Sequence, residues 1–154
     1  MRHLGGTFEV QITETEAYLG EGDPASHSHR GPTPRSAIMF GRPGVAYVYL
    51  IYGMHFCLNA VTEPAGTGAA VLIRSARPVP GASPPRGRIE GPGRLTRALG
   101  IDLAMNGWDL ATSDLQVLDA AGVKDADVVV GPRVGIQKAT DLALRFRIPG
   151  AAVR

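Results

Sequence analysis

A strict alternation of apolar and polar residues marks the segment TFEVQIT near the start of the chain. Phe8, Val10 and Ile12 are apolar, and each lies between polar residues. This period of two predicts a β-strand over residues 7–13 with one apolar and one polar face. The apolar face is expected to pack on a core.

The same even-numbered face continues as Glu14, Glu16 and Tyr18. A carboxylate on a core-directed face is partly desolvated, which disfavours its charged form and raises its pKa toward the range useful for proton transfer. The alternative is that the strand leaves the core at residue 14 and that both carboxylates are solvated. The pattern alone leaves both interpretations open.

A second stretch, residues 44–62, is rich in β-branched and aromatic residues and is interrupted only at Gly53 and Met54. It predicts a hairpin with its turn at the glycine. The tip is unusual because Tyr52, Met54 and His55 stand where small polar residues are common. Bulky side chains at an exposed tip favour insertion between stacked DNA bases. The alternative is an aromatic pair that packs on a neighbouring loop.

A third strand is predicted over residues 69–77, where Arg74 interrupts an apolar run. An arginine in such a setting is costly unless a carboxylate or a phosphate pairs with it. We therefore expect Glu16 to be a partner of Arg74.

Helices are fewer. A proline near the start, two leucines four residues apart and a final glycine predict a helix over residues 91–100. Proline and glycine exclude regular structure from residues 78–93, and residues 127–136 and 144–150 are typical of closing strands. Together these elements predict an α+β fold. We expect a single domain over residues 1–154, with a curved, mainly antiparallel β-sheet of roll-like or barrel-like form, a few peripheral helices and a protruding β-hairpin.

Composition narrows the function classes. The 154 residues are 44% hydrophobic and 19% charged, as in ordinary globular proteins, and no apolar run is long enough to span a membrane. No signal peptide is visible and the one cysteine, Cys57, has no partner within the chain, so we expect a soluble protein of the cytoplasm. The net charge of +2 permits contact with a polyanion. Arginine outnumbers lysine, which suits phosphate binding but equally suits a GC-rich genome.

The residues also carry a resemblance. ETEAYLGEGDPASHSHRGPTPRSAIMFGRPGVAYVYLIYGMHFCLNAV, followed by AAVLIR, GPGRLTRALGID, PRVGI and LRFRIPG, resembles the alkyladenine (3-methyladenine, or methylpurine) DNA glycosylase family. The likeness runs from about residue 12 to 76 and resumes at 91–102. The segment KATDLALRF departs from the aromatic and acidic pattern of the family's closing motif.

The resemblance implies a base-excision-repair enzyme that removes alkylated or deaminated purines from duplex DNA by hydrolysis of the bond between base and sugar. A stacked base cannot be reached, so the target nucleotide is rotated out of the duplex. By position, Tyr52 is then the residue that fills the gap, with Met54 and His55 braced against neighbouring bases.

The resemblance also assigns the pocket. Tyr18, His27 and Tyr49 correspond to walls that stack on the flipped purine, and an electron-poor alkylated ring stacks more strongly on aromatic residues. Asn59 corresponds to the residue that crowds the exocyclic amino group of guanine and so excludes the normal base.

For catalysis, Glu16 matches the general base that activates water, and Arg74 is expected to hold Glu16 and the water in place. The backbone at Val134 and Gly135 matches the segment whose carbonyl is the water's other partner. Glu14 is expected to support the site rather than react.

No metal and no cofactor are expected. Glu16, His27 and His29 could alternatively be read as a metal site, since His and carboxylate are ordinary ligands. No lysine lies near the motif in sequence, so Schiff-base chemistry and strand nicking are not expected, and the product is expected to be an abasic site. The expected partner is double-stranded DNA with damaged purines, bound by a monomer. The competing hypothesis is a lesion-binding or minor-groove-binding DNA protein without catalytic activity.

Overall fold

The computed structural model describes residues 1–3, 8–120 and 122–149. Within these ranges, eight strands form one open antiparallel sheet with the order β3-β4-β5-β2-β1-β6, and β8 pairs with both β2 and β7. The strands are β1 (Arg2–His3), β2 (Phe8–Tyr18), β3 (Ala46–Ile51), β4 (His55–Val61), β5 (Ala70–Pro78), β6 (Leu115–Gln116), β7 (Val129–Gly131) and β8 (Arg145–Arg147).

One α-helix, α1 (Pro92–Leu99), lies within the described ranges, where the sequence predicts it. Pro92 occupies the first turn, where its missing N–H costs no hydrogen bond, and Gly100 ends the helix with a left-handed φ of 68°. Three short 3₁₀ helices also lie in the described part of the chain: Ala37–Phe40, Leu103–Met105 and Asp125–Asp127. All four helices are far too short to cross a bilayer.

The main core lies between α1 and one face of the sheet. Leu95 and Leu99, on the buried side of α1, pack with Val48, Leu58 and Ile73 from three adjacent strands. All five side chains are almost completely excluded from water, so their burial is a main source of stability. The opposite face of the sheet carries polar groups and a second, smaller apolar cluster: Met39, Val45, Tyr47, Val61 and Ala70.

Strand β2 is central because it pairs along both of its edges. β5 follows one edge from Val10 to Tyr18, while β1 and β8 share the other. The register with β5 shifts on both sides of Glu14, as at a β-bulge, and Thr13 and Glu14 are both buried. The alternation predicted from the sequence therefore fails at this point, although β2 itself forms and extends to Tyr18.

The predicted hairpin is confirmed. β3 and β4 pair from Ala46↔Ala60 to Ile51↔His55, and the turn between them contains Tyr52 with a φ of 53° and Gly53 with a φ of 68°. Two residues with positive φ match the right-handed twist of the flanking strands.

The predicted α+β fold with a mainly antiparallel sheet is confirmed, and the sheet does not close into a barrel. The predicted third strand is β5. The closing strands are shorter than predicted: β7 and β8 cover only Val129–Gly131 and Arg145–Arg147. Residues 132–136 instead leave the sheet and approach β2.

Candidate active site

One row of side chains crosses the face of the sheet opposite α1. The strand registers pair Tyr47 with Asn59, Asn59 with Leu72, Leu72 with Glu16, and Glu16 with Arg145. Directly opposed residues of antiparallel strands project to the same face. Five strands therefore place these five side chains in one line.

A cavity of about 550 Å³ lies over this row, which is within the usual size range of small-molecule pockets. Its walls come from the sheet, the hairpin, the loop after β2 and the segment after β7. The lining residues are Tyr18, Pro24, Ala25, Ser26, His27, Met39, Tyr47, Tyr49, Ile51, Tyr52, Cys57, Asn59, Leu72, Arg74, Pro92, Val134, Gly135, Ile136, Gln137 and Lys138.

Glu16 lies behind this lining and is 0% exposed. Its Oε1 accepts a hydrogen bond from the Val134 N–H at 2.8 Å, and its Oε2 accepts from the Tyr18 hydroxyl at 3.1 Å and from Arg74 Nη1 at 3.3 Å. The interpretation that Glu14 and Glu16 are solvated is wrong. The contact at Val134 uses its N–H, and the role of a backbone carbonyl of this segment stays a prediction.

Glu14 joins two arginines on the same face. Its Oε1 accepts from Arg74 Nε and from Arg145 Nε, both at 2.8 Å, and its Oε2 accepts from the Ser75 hydroxyl at 3.4 Å. Burial acts to raise the pKa of Glu14, but the hydrogen bonds and charges of Arg145 and Arg74 together outweigh it, so the pKa is lowered. The predicted rise in pKa is therefore wrong for this carboxyl.

Three aromatic rings form one wall of the cavity. The His27 and Tyr49 ring centroids are 4.7 Å apart in an edge-to-face arrangement, and those of Tyr47 and Tyr49 are 5.2 Å apart. Nδ1 of His27 lies 2.9 Å from the Tyr47 hydroxyl. Partial burial of its ring, and then the charge of Arg35, lower the pKa of His27. His27 is thereby kept neutral around pH 7.

Tyr18 forms the opposite part of the lining. Burial, followed by the adjacent charge of Glu16, raises the pKa of Tyr18, so its hydroxyl remains a donor. The Arg133 guanidinium lies over the ring at 4.6 Å and forms a buried ion pair with Asp23. This ion pair also fixes the backbone next to Val134.

Asn59 is buried, and its side-chain nitrogen donates to the Tyr47 carbonyl at 3.0 Å. Because a carbonyl can only accept, this contact fixes which end of the amide is the donor. The amide therefore presents a constant face to the cavity.

The hairpin tip is exposed. Tyr52 is 83% exposed and still borders the cavity, and Met54 is 71% exposed. His55 differs, since it lies on β4 and is half-buried, with its Cβ close to Gly93 of α1. Tyr52 is therefore not packed on a neighbouring loop as one of an aromatic pair, and His55 is the least free of the three.

A family model described as methylpurine-DNA glycosylase matches residues 1–152 of the chain. The chain belongs to the methylpurine-DNA glycosylase family. Similar proteins, each provisionally named 3-methyladenine DNA glycosylase, occur in bacteria and archaea. The chain is 47% identical over 152 residues to one from Burkholderia lata, covering 91% of the chain and 73% of the relative. It is 52% identical over 146 residues to one from Myxococcus xanthus (94% and 75%), and 46% identical over 157 residues to one from Methanoculleus marisnigri (94% and 81%).

Several lining residues of this methylpurine-DNA glycosylase family member were not predicted, among them Tyr47, Cys57 and Lys138. Tyr47 and Cys57 lie on the same strand faces as Tyr49 and Asn59, two residues away in each case. A period of two applied to the hairpin would have found both. Lys138 also borders the cavity although it lies far from the motif in sequence, so distance along the chain hid it.

The metal alternative gains no support in this family member. His27 contacts the Tyr47 hydroxyl, and His29 Nδ1 lies 2.8 Å from the Glu21 carbonyl oxygen. In the part of the chain that the structure describes, no three His, Cys, Asp or Glu residues are grouped as metal ligands.

Proposed function

We propose that the chain is a base-excision-repair glycosylase. It rotates alkylated or deaminated purines out of duplex DNA and hydrolyses the bond between base and sugar, leaving an abasic site. The observation that carries this proposal is a fully buried carboxylate, Glu16, held directly behind three residues that line an aromatic-walled cavity. Family membership supports the reaction class.

Glu16 acts as the general base in this proposal. An ionised carboxylate offers about four acceptor positions, and the contacts from Tyr18, Arg74 and Val134 use three of them. The remaining position would hold the attacking water, whose proton passes to Glu16 as it attacks the anomeric carbon. The negative charge of Glu16 also stabilises the positive charge that develops on the sugar.

Arg74 and Val134 position this base. Each donates to a different oxygen of Glu16, so the plane of the carboxylate is fixed by two donors. A base held in one orientation needs no reorganisation during the reaction.

The pocket walls select the substrate. The flipped purine would stack against Tyr18, His27 and Tyr49, which favours electron-poor alkylated rings. The Asn59 side chain, whose amide is fixed by the Tyr47 carbonyl, would reject guanine because it clashes with the exocyclic amino group of that base.

The hairpin tip keeps the nucleotide out of the stack. Tyr52 would occupy the vacated space, because it is exposed and its positive φ holds it at the tip. Met54 and His55 would brace adjacent bases, with His55 restricted by its packing against Gly93.

The chain would act on double-stranded DNA as a monomer with a single domain. It would be monofunctional, which means that it removes the base without cutting the strand. Water is the nucleophile, so no cofactor is needed. Lys138 borders the cavity but is exposed and lies four residues beyond Val134. The proposed product is therefore an abasic site in an intact strand.

The test is release of free base from a duplex that carries one hypoxanthine or 3-methyladenine, by native protein and by Glu16→Gln. We expect native release, strand cleavage only after alkali, and a loss of at least about 100-fold in the variant, the lower end for a general base. Cleavage before alkali would contradict the monofunctional assignment. If the native protein releases no free base but still binds an abasic analogue, the chain is a lesion-binding protein without catalytic activity.

A further inference from the structure

Two of the tyrosine rings that line the cavity, those of Tyr18 and Tyr49, each have an arginine stacked on them. The Arg133 guanidinium lies 4.6 Å from the centroid of the Tyr18 ring, and the Arg35 guanidinium lies 4.7 Å from that of Tyr49. Both tyrosines line the cavity, but neither arginine does. The two guanidinium groups therefore lie behind the rings as seen from the cavity.

The two arginines differ in charge compensation. Arg133 is buried in an ion pair with Asp23, so its field beyond the ring is largely cancelled. Arg35 is exposed and donates from Nη2 to the Leu50 carbonyl at 3.2 Å. In residues 1–3, 8–120 and 122–149, no carboxylate forms an ion pair with Arg35.

An uncompensated cation on one face of an aromatic ring changes what the other face attracts. The guanidinium interacts with the negative potential of the Tyr49 ring and so reduces the attraction that the other face offers to a second cation. It also repels that cation directly across the ring. A positively charged purine in the cavity would feel both effects, and a neutral purine would feel neither.

We propose that Arg35 sets the charge preference of the pocket: it weakens binding of cationic alkylated purines and so favours neutral lesions such as hypoxanthine. This inference rests on the proposed function, since it takes the cavity as the site of the flipped base. Arg35 acts here through Tyr49 as a specificity-determining residue.

The environment of His27 agrees with an effect of Arg35 that disfavours positive charge in the cavity. Burial first, and then the charge of Arg35, lower the pKa of that imidazole, in line with a guanidinium field that reaches the wall of the cavity. The same field would act on a charged base stacked beside it.

Binding, measured apart from chemistry, tests the inference. Duplexes would carry 3-methyladenine, which is cationic, or hypoxanthine, which is neutral, on a 2′-fluorinated sugar that resists hydrolysis. Affinities would be measured at about pH 8, where His27 stays neutral with or without Arg35. The quantity compared is the ratio of affinities for the cationic and neutral lesions, in which general DNA contacts cancel.

Arg35→Gln is expected to raise this ratio about 3-fold to 10-fold, the size of one partly screened charge interaction. Arg35→Lys, which keeps the charge, should stay close to native. The matched control is Arg30→Gln, because Arg30 is exposed in the same loop and has no ion pair or ring contact in the described part of the chain. That variant should leave the ratio unchanged.

An unchanged or lower ratio in Arg35→Gln would overturn the inference, and so would an equal rise in Arg30→Gln. Base release from ordinary sugars is measured in parallel. If the affinity ratio shifts but no base is released, the inference holds and the proposed function fails. If base is released but the ratio does not shift, the proposed function holds and the inference fails.

Discussion

Glu14 lies between two arginines that come from different strands. Arg74 reaches it from β5 and Arg145 from β8, and Arg74 also extends to Glu16. Removing the charge of Glu14 would leave two partly buried guanidinium groups without their main partner, which is costly in a site of low exposure.

Glu14→Gln is therefore expected to lower the free energy of unfolding by about 3 kcal/mol, the usual cost of breaking a buried pair. Chemical denaturation followed by circular dichroism would measure it. The control is Arg42→Gln, which removes a solvent-exposed pair with Asp109 and should have no measurable effect. An equal loss in both variants would contradict the assignment.

The lowered pKa of Glu14 also predicts a pH dependence. A carboxyl whose folded pKa lies below its unfolded value stabilises the fold above the unfolded pKa, and this contribution is lost as pH falls through the folded pKa. Native protein should thus lose stability below about pH 4.5. Glu14→Gln should show a smaller acid-side loss, with Asp23 still contributing because its pKa is lowered as well. Parallel curves for the two proteins would contradict this.

For individual residues, the sequence predicts which chemical groups form the site better than it predicts which arginines pair with the buried carboxylates. Glu16 and Arg74 were expected to pair, and they do. Arg145 and Arg133 were not foreseen because each meets its carboxylate partner more than 100 residues away in the chain. Pattern and spacing carry no information about such contacts.

The hairpin is the element whose structure is determined most fully by its local sequence. β-branched and aromatic residues on both sides of one glycine specify two strands and a tight turn, and the register follows from the turn. The bulge in β2 is the opposite case, since only pairing with β5 reveals it.

Tyr52→Ala tests the role of this element. The variant is expected to bind abasic or flipped sites about 10-fold more weakly, with a smaller loss on undamaged duplex, because stacking by one aromatic ring contributes about 1–3 kcal/mol. Competition binding would give both affinities. Val130→Ala serves as the control, since Val130 is exposed on β7, away from the hairpin. An equal loss of affinity for both DNAs in Tyr52→Ala would refute the role of Tyr52 as a wedge.

Across the whole molecule, charge is nearly balanced: 16 basic and 14 acidic residues give a net charge of +2. Binding of a polyanion must then come from local clusters of arginine rather than from the overall field. Affinity for undamaged duplex is expected to fall at least about 10-fold between roughly 50 mM and 200 mM salt, the consequence of releasing counterions at two or more phosphates. A titration at several salt concentrations measures this, and an affinity independent of salt would contradict phosphate binding.

The row of residues around Glu16 has a consequence for how the chain is made. Its contacts come from Tyr18, Arg74 and Val134, and the neighbouring Glu14 depends on Arg145. During synthesis, the two carboxylates, Tyr18 and Arg74 emerge well before Val134 and Arg145. A nascent chain can therefore pair both acids with Arg74 early, but each acid gains its last donor only after the segment that follows β7 and strand β8 have folded onto β2.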